Sequence, residues 1–152
     1  MIIIDGKEDI ETIRQLINEY TVQLGRDLSF QHLEEELQDP AKKYAAPNGE
    51  ILLAVENGKP CGMVAYHRLD HTVCEMKRLY VRKEVRQQGI GKELVAHILK
   101  RAKAAGYKKM VLDTIVPLHV AIHLYKTFGF TTCEAYYDNP MVDVIYMSKE
   151  LK

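Results

Sequence analysis

Net charge is the first thing missing from this chain. Its 21 basic side chains are matched by 21 acidic ones, so the overall field gives no reason to expect nucleic acid or an anionic membrane as partner. Long hydrophobic runs are missing as well. No apolar stretch approaches the ~20 residues that cross a bilayer. The opening Met1-Ile2-Ile3-Ile4-Asp5 has neither a basic lead nor a small-residue cleavage site, so it reads as a strand and not as a signal peptide. Cysteine is sparse: Cys61, Cys74 and Cys133 are odd in number, far apart and outside any CxxC or Cys/His zinc pattern. That pattern excludes a disulfide framework and leaves reduced thiols, small buried hydrophobes in the strands of a cytoplasmic protein. Repeats, linkers and low-complexity segments are absent too, and 152 residues suit one domain, 1–152. What remains is ordinary for a globular protein, 47% apolar and 28% charged, with small molecules as the expected partners.

Periodicity sets out the elements. After the opening strand, Ile10, Ile13, Leu16, Ile17, Tyr20 and Leu24 recur at helical spacing until Gly25. Ser29 is placed to cap a second, short helix carrying Phe30, Leu33 and Leu37, and Pro40, Pro47 and Asn48-Gly49 mark a loop over 39–50. Ile51–Val55 and Cys61–Leu69 are strand-like and joined across Asn57-Gly58, a strong hairpin signal; a third strand runs from Val73 to Val81. These three make an antiparallel meander. Ile90, Leu94, Val95, Ile98, Leu99 and Ala102 then mark one face of a helix that closes at Gly106. Met110–Leu112 is a short buried strand. Val120, Ala121, Leu124, Tyr125 and Phe128 mark a further helix between Pro117 and Gly129. Phe130–Tyr137 and Val142–Met147 read as the last strands, joined across Asp138-Asn139-Pro140. The order β-α-α-β-β-β-α-β-α-β-β predicts a mixed α/β fold: a mostly antiparallel sheet of about six or seven strands with four helices on its faces.

One segment carries chemistry. Arg86-Gln87-Gln88-Gly89-Ile90-Gly91-Lys92 puts two glycines and two cations where the long helix begins. A helix start leaves unpaired N–H groups and a positive dipole end, which suit a phosphate, and glycines let the backbone come close to it. A dinucleotide fingerprint is excluded because the glycine spacing is incomplete and a meander precedes it. A Walker loop is excluded because Glu93 follows Gly91-Lys92 where Ser or Thr is needed. Taken alone, the segment is equally a plain Gly-rich turn with solvated cations.

Its company decides more. Glu75-Met76-Lys77-Arg78-Leu79-Tyr80-Val81, then Arg-x-x-Gly-x-Gly at 86–91, then Leu124-Tyr125-Lys126-Thr127-Phe128-Gly129-Phe130, taken in this order, resemble the GNAT family of N-acetyltransferases. The resemblance in element order covers nearly the whole chain. It implies that Arg86, Gln87, Gln88, Gly89, Ile90, Gly91 and Lys92 hold the pyrophosphate of acetyl-coenzyme A. It also implies that the strands 73–81 and 110–112 splay into a V for the pantetheine, lined by Leu79, Tyr80 and Val81, with backbone groups of Leu79 and Val81 bonding it. One departure stands out: the asparagine that many members place three residues before Ala121 is Leu118 here.

The same resemblance implies an N-acetyltransferase acting on a primary amine, with acetyl-coenzyme A as donor and no metal. Acetyl transfer needs a neutral amine, a stabilised oxyanion and a proton for the departing thiolate. Tyr125 matches the general acid of the family; as an alternative it is a packing residue on the Ala121/Phe128 stripe. Glu75 stands where some members place a base, with a raised pKa expected of a half-buried glutamate, or it is a salt-bridged structural residue. His119 and His123 stand one helical turn apart, yet lack the third ligand of a metal site, and His67 and His71 flank the acceptor side. The acceptor side implied by the family gathers Phe30, Gln31, Glu34, Tyr44, Tyr136, Tyr137 and Asn139, aromatics and carboxylates that suit a small cationic amine. A homodimer through the last strands is a further implication of the family. Two other readings stay open: a coenzyme A-binding module without transfer activity, and transfer of a larger acyl group.

Overall fold

The computed structural model describes every residue from Met1 to Lys152. Its strands are β1 (Ile2–Asp5), β2 (Gly49–Glu56), β3 (Lys59–Arg68), β4 (Val73–Val81), β5 (Lys109–Ile115), β6 (Thr131–Thr132) and β7 (Val144–Glu150). They lie side by side in one sheet in the order β1-β2-β3-β4-β5-β7-β6. The β4–β5 pair is parallel and every other neighbour is antiparallel. The β2–β3 hairpin turns at Asn57 (φ 53°) and Gly58 (φ 75°), both left-handed as a tight two-residue turn requires.

Helices cover both faces. On one face α1 (Ile10–Leu24) packs Ile13, Leu16 and Ile17 against Ile51, Leu53, Met63, Ala65 and Tyr80. The short helices α2 (Leu33–Gln38) and α3 (Pro40–Lys43) follow it. On the other face α4 (Ile90–Ala104) and α5 (His119–Thr127) bury Leu94, Val95, Ile98 and Tyr125 with Leu52, Val64, Met76, Leu112 and Met147. Cys61 and Cys74 are buried in strands, and burial pushes the Cys74 thiol up to about 12; Cys133 is half-buried just after β6.

Three local expectations fail. Ser29 caps no helix: it opens a single 3-10 turn, Ser29–Gln31, and α2 starts only after His32 (φ 58°) reverses the chain. Residues 39–50 are not all loop, because Asp39 accepts from Lys42 N (3.3 Å) and Pro40 sits in the first turn of α3, making five helices where four were counted. Phe130–Tyr137 is not a strand beyond Thr132. Alternation would turn one of Tyr136 and Tyr137 outward, whereas both rings pack on Tyr146, at 5.4 and 5.9 Å between centroids, so the backbone leaves the ladder.

The feature that makes a site is a break in the sheet. β4 and β5 pair only at Val73↔Lys109, Cys74↔Met110 and Glu75↔Val111; beyond Glu75 they part. On its other edge β4 keeps its pairing with β3, but the register slips between Met63↔Tyr80 and Ala65↔Lys77, and Arg78 takes a left-handed conformation (φ 61°). The extra residue is a β-bulge, which bends β4 away from β5.

Candidate active site

The Gly-rich loop lies on the α4–α5 side of the parting strands. After a 3-10 turn at Lys83–Val85, Gln87 (φ 67°) and Gly89 (φ 82°) are left-handed, and α4 begins at Ile90. Gly89 caps α4 without any side-chain bond, and the first helical bond to its carbonyl comes from Glu93 N (3.1 Å), so the N–H groups of the first turn point out unpaired. Ile90 is buried and anchors that turn; Gln87, Gln88, Gly89 and Lys92 are exposed around it, and Gly91 is half-buried against Leu124 and Val81. Arg86 is placed differently from expectation. Its Nε donates to the Val81 carbonyl (2.9 Å), its Nη2 to Gln23, and its guanidinium lies over the Tyr80 ring, so it ties the loop to β4 and α1. Tyr80 turns to that same side, donating to Glu19 (3.1 Å), and presents only its backbone to the gap.

Between β4 and β5 opens a narrow cleft of about 70 Å³ that reaches from the α5 side of the sheet to the α1 side. Leu79, Leu112, Leu118, Ala121 and Tyr125 line one end. Tyr125 packs edge-on against Phe130 (5.9 Å between centroids), and burial pushes its hydroxyl pKa up, so the phenol stays protonated across the neutral range. The other end is polar and lies under α2. Alternation on β4 brings Lys77 there and Glu75 to the hollow beside it, and the bulge adds Arg78.

Arg78 is locked. Its Nε and Nη2 donate to Glu36 Oε2 and Oε1 (2.8 and 3.0 Å), and its Nη1 donates to Gln31 Oε1 (2.9 Å). Burial alone would raise the Glu36 pKa, but Arg78 and the Lys43 ammonium at 3.1 Å overcome it and hold it at about 2. Glu75 behaves likewise: burial works to raise its pKa, and His67 at 2.6 Å, Lys77 and the Tyr136 hydroxyl together bring it down to about 2. The raised pKa expected of a base here is therefore reversed. Lys77, its side chain 8% exposed, has its pKa brought down to about 8 by burial, against the opposing pull of Glu75 at 3.9 Å.

The remaining expected residues divide. Tyr136 and Tyr137 meet the polar end, and Tyr137 donates to Asp113 Oδ2 together with Asn139 Nδ2 (2.7 Å). Phe30 and Gln31 line an adjoining hollow with His67, Glu75, Lys77 and Val111. Tyr44 does not reach it: the side chain is 0% exposed in the core under α1, its hydroxyl unpaired, so contact with an acceptor is ruled out. Glu34, His71, His119 and His123 are exposed, the first two outside the hollow.

A sequence model of the acetyltransferase (GNAT) family matches residues 10–130. This chain belongs to the GNAT acetyltransferase family. An N-acetyltransferase of Schizosaccharomyces pombe is 44% identical over 146 residues, covering 95% of this chain and 90% of that one. A GNAT acetyltransferase from Staphylococcus aureus Mu50 superposes with a TM-score of 0.78 at 23% identity, over 99% of both chains. A GNAT acetyltransferase from Elizabethkingia anophelis, solved with acetyl-coenzyme A bound, gives a TM-score of 0.61 at 26% identity, over 76% of this chain and 82% of that one.

The sequence pattern of this acetyltransferase assigns no site role to Glu36, Arg78 or Asp113, and places Lys77 only on the Glu75 side of its strand. Asp113 lies just past the apolar run Met110–Leu112 that marks the strand in sequence, whereas β5 continues to Ile115. Alternation from Val111, a residue of the hollow, would have placed Asp113 on the same face. No local signal announces the Arg78 bulge or its partner 42 residues away.

Proposed function

We propose that this protein binds acetyl-coenzyme A and transfers the acetyl group to a primary amine by direct attack, both substrates being bound together. The observation that carries this reading is the cleft between the parting strands β4 and β5, with Tyr125 along it and Lys77, Arg78 and Asp113 at its polar side, together with the unpaired N–H groups at the start of α4. The unpaired N–H groups at Ile90, Gly91 and Lys92, beside Gln87, Gln88 and Gly89, fit the pyrophosphate. Arg86 shapes that loop. The edge of β4 from Met76 to Val81, which has no partner on β5, fits the pantetheine and offers a backbone N–H near Leu79 for the developing oxyanion. The acetyl-coenzyme A in the Elizabethkingia relative supports the choice of donor.

The amine nitrogen bonds to the acetyl carbon as the carbon–sulfur bond breaks. Tyr125 hands its proton to the sulfur and regains one from the nitrogen through water. Glu75, with its carboxyl at about 2, is too weak a base for that proton at neutral pH; its part is to hold Lys77, His67 and Tyr136 at the acceptor end. The test is calorimetric titration with acetyl-coenzyme A, followed by thiol release across polyamines, amino acids, aminoglycosides and peptide amines. Stoichiometric binding with release for one class supports the reading. No binding overturns it, and binding without release for any amine points to a coenzyme A-binding module.

A further inference from the structure

At the acceptor end of the cleft almost every charge is spoken for within the fold. Arg78 is held by Glu36 and Gln31, Glu36 by Arg78 and Lys43, and both oxygens of Glu75 by His67 and Tyr136. Two charged residues that line the cleft keep a polar atom without any hydrogen bond. Lys77 Nζ sits where the cleft meets the hollow, makes no hydrogen bond, and has Glu75 at 3.9 Å as its nearest opposite charge. Asp113, on β5 across the gap, takes Tyr137 and Asn139 on Oδ2 and leaves Oδ1 open. A lysine side chain 8% exposed whose ammonium makes no hydrogen bond, and a carboxylate with one oxygen that accepts none, leave a positive and a negative group in one cleft for a ligand to satisfy.

We infer that the acceptor is an amino acid, its amine held at Asp113 Oδ1 and its carboxylate at Lys77. The inference rests on the acetyl-transfer reading above and names its substrate class. In the cleft itself Lys77 is the one cation without a hydrogen bond, and one such charge suits a carboxylate better than a phosphate monoester, which brings a charge of about −1.5 to −2. With its pKa at about 8, Lys77 still carries most of its charge at neutral pH. Phe30, Tyr136 and Tyr137 give the side chain of the amino acid an apolar wall in the hollow.

The experiment titrates the L-amino acids, by calorimetry, into the coenzyme A-bound protein. The strongest binder is then compared with its amide, which lacks the carboxylate, and with the matching carboxylic acid, which lacks the amine. Each is expected to bind roughly 10- to 100-fold more weakly, as for loss of a hydrogen bond to a charged group. In Lys77→Met the ratio of acid to amide should fall to about one, and Lys77→Arg should restore it, with coenzyme A affinity reporting that both variants are folded. Binding of the amide as tight as that of the acid, an unchanged ratio in Lys77→Met, or no bound amino acid overturns the inference. Acetyl-coenzyme A binding and thiol release are measured separately, so an amino-acid failure alone leaves acetyl transfer standing, and failure to bind acetyl-coenzyme A removes both.

Discussion

Replacing Glu36 by Gln removes one negative charge from the most deeply buried ion pair of the protein, in which the Arg78 and Glu36 side chains are 2% and 1% exposed. Two routes give the size of the effect. Breaking a buried pair by removing one partner costs about 3–5 kcal/mol, because the other charge stays buried without compensation. Independently, holding the Glu36 carboxyl at about 2 instead of 4.5 is worth about 3 kcal/mol at 1.36 kcal/mol per pH unit. The amide oxygen of the variant and Gln31 still accept from Arg78, which favours the lower figure, about 3 kcal/mol. For a domain of this size that is a fall in Tm of about 6–12 °C. Urea unfolding followed by far-UV circular dichroism at pH 7 measures it. The pH dependence has a definite sign: the folded pKa lies below the unfolded one, so the stabilisation is complete above about 4.5 and is lost as the pH falls towards about 2. Wild type and variant should therefore converge in acid. A loss under about 1 kcal/mol at pH 7, or a gap that does not narrow by pH 3, refutes the assignment of Glu36 as the counter-ion that pins the bulge.

Tyr125→Phe should lower kcat by about 100-fold, the low end for a general acid since a thiolate with a pKa near 8.5 leaves readily, while acetyl-coenzyme A affinity holds; an unchanged kcat returns Tyr125 to packing. Gly89→Glu should raise the acetyl-coenzyme A Kd at least about tenfold, by charge repulsion at the helix start and a backbone cost of about 1–2 kcal/mol at φ 82°; calorimetry that shows equal affinity removes the phosphate from this loop. Glu75→Gln takes away the nearest opposite charge to Lys77, so the ammonium should titrate below about 8 in a lysine-selective NMR titration; a value close to the ordinary 10.5 shows that Lys77 is solvated and not buried beside Glu75.

Local pattern determined the elements of this protein and the place where phosphate chemistry belongs. Hydrophobic spacing is a property of neighbours in the chain, so α1, α4, α5 and the β2–β3–β4 meander were legible from Ile13, Leu94, Tyr125 and Asn57-Gly58 alone. The Gly-rich start of α4 was legible for the same reason, since a helix start exposes its N–H groups wherever it lies in a fold. The short elements were not: the 3-10 turn at Ser29 and the single turn at Pro40 are too short for periodicity to mark, and the loop after Thr132 is settled by tyrosine packing on Tyr146. Only tertiary structure decided what each charge does. Lys77, Glu75 and Tyr44 look alike in sequence, a polar side chain on or near a strand, and become a free cation, a clamped carboxylate and a core residue through partners far along the chain. The protonation of a buried group depends on desolvation and on which opposite charge lies within a few ångströms, and neither quantity exists until the strands are placed.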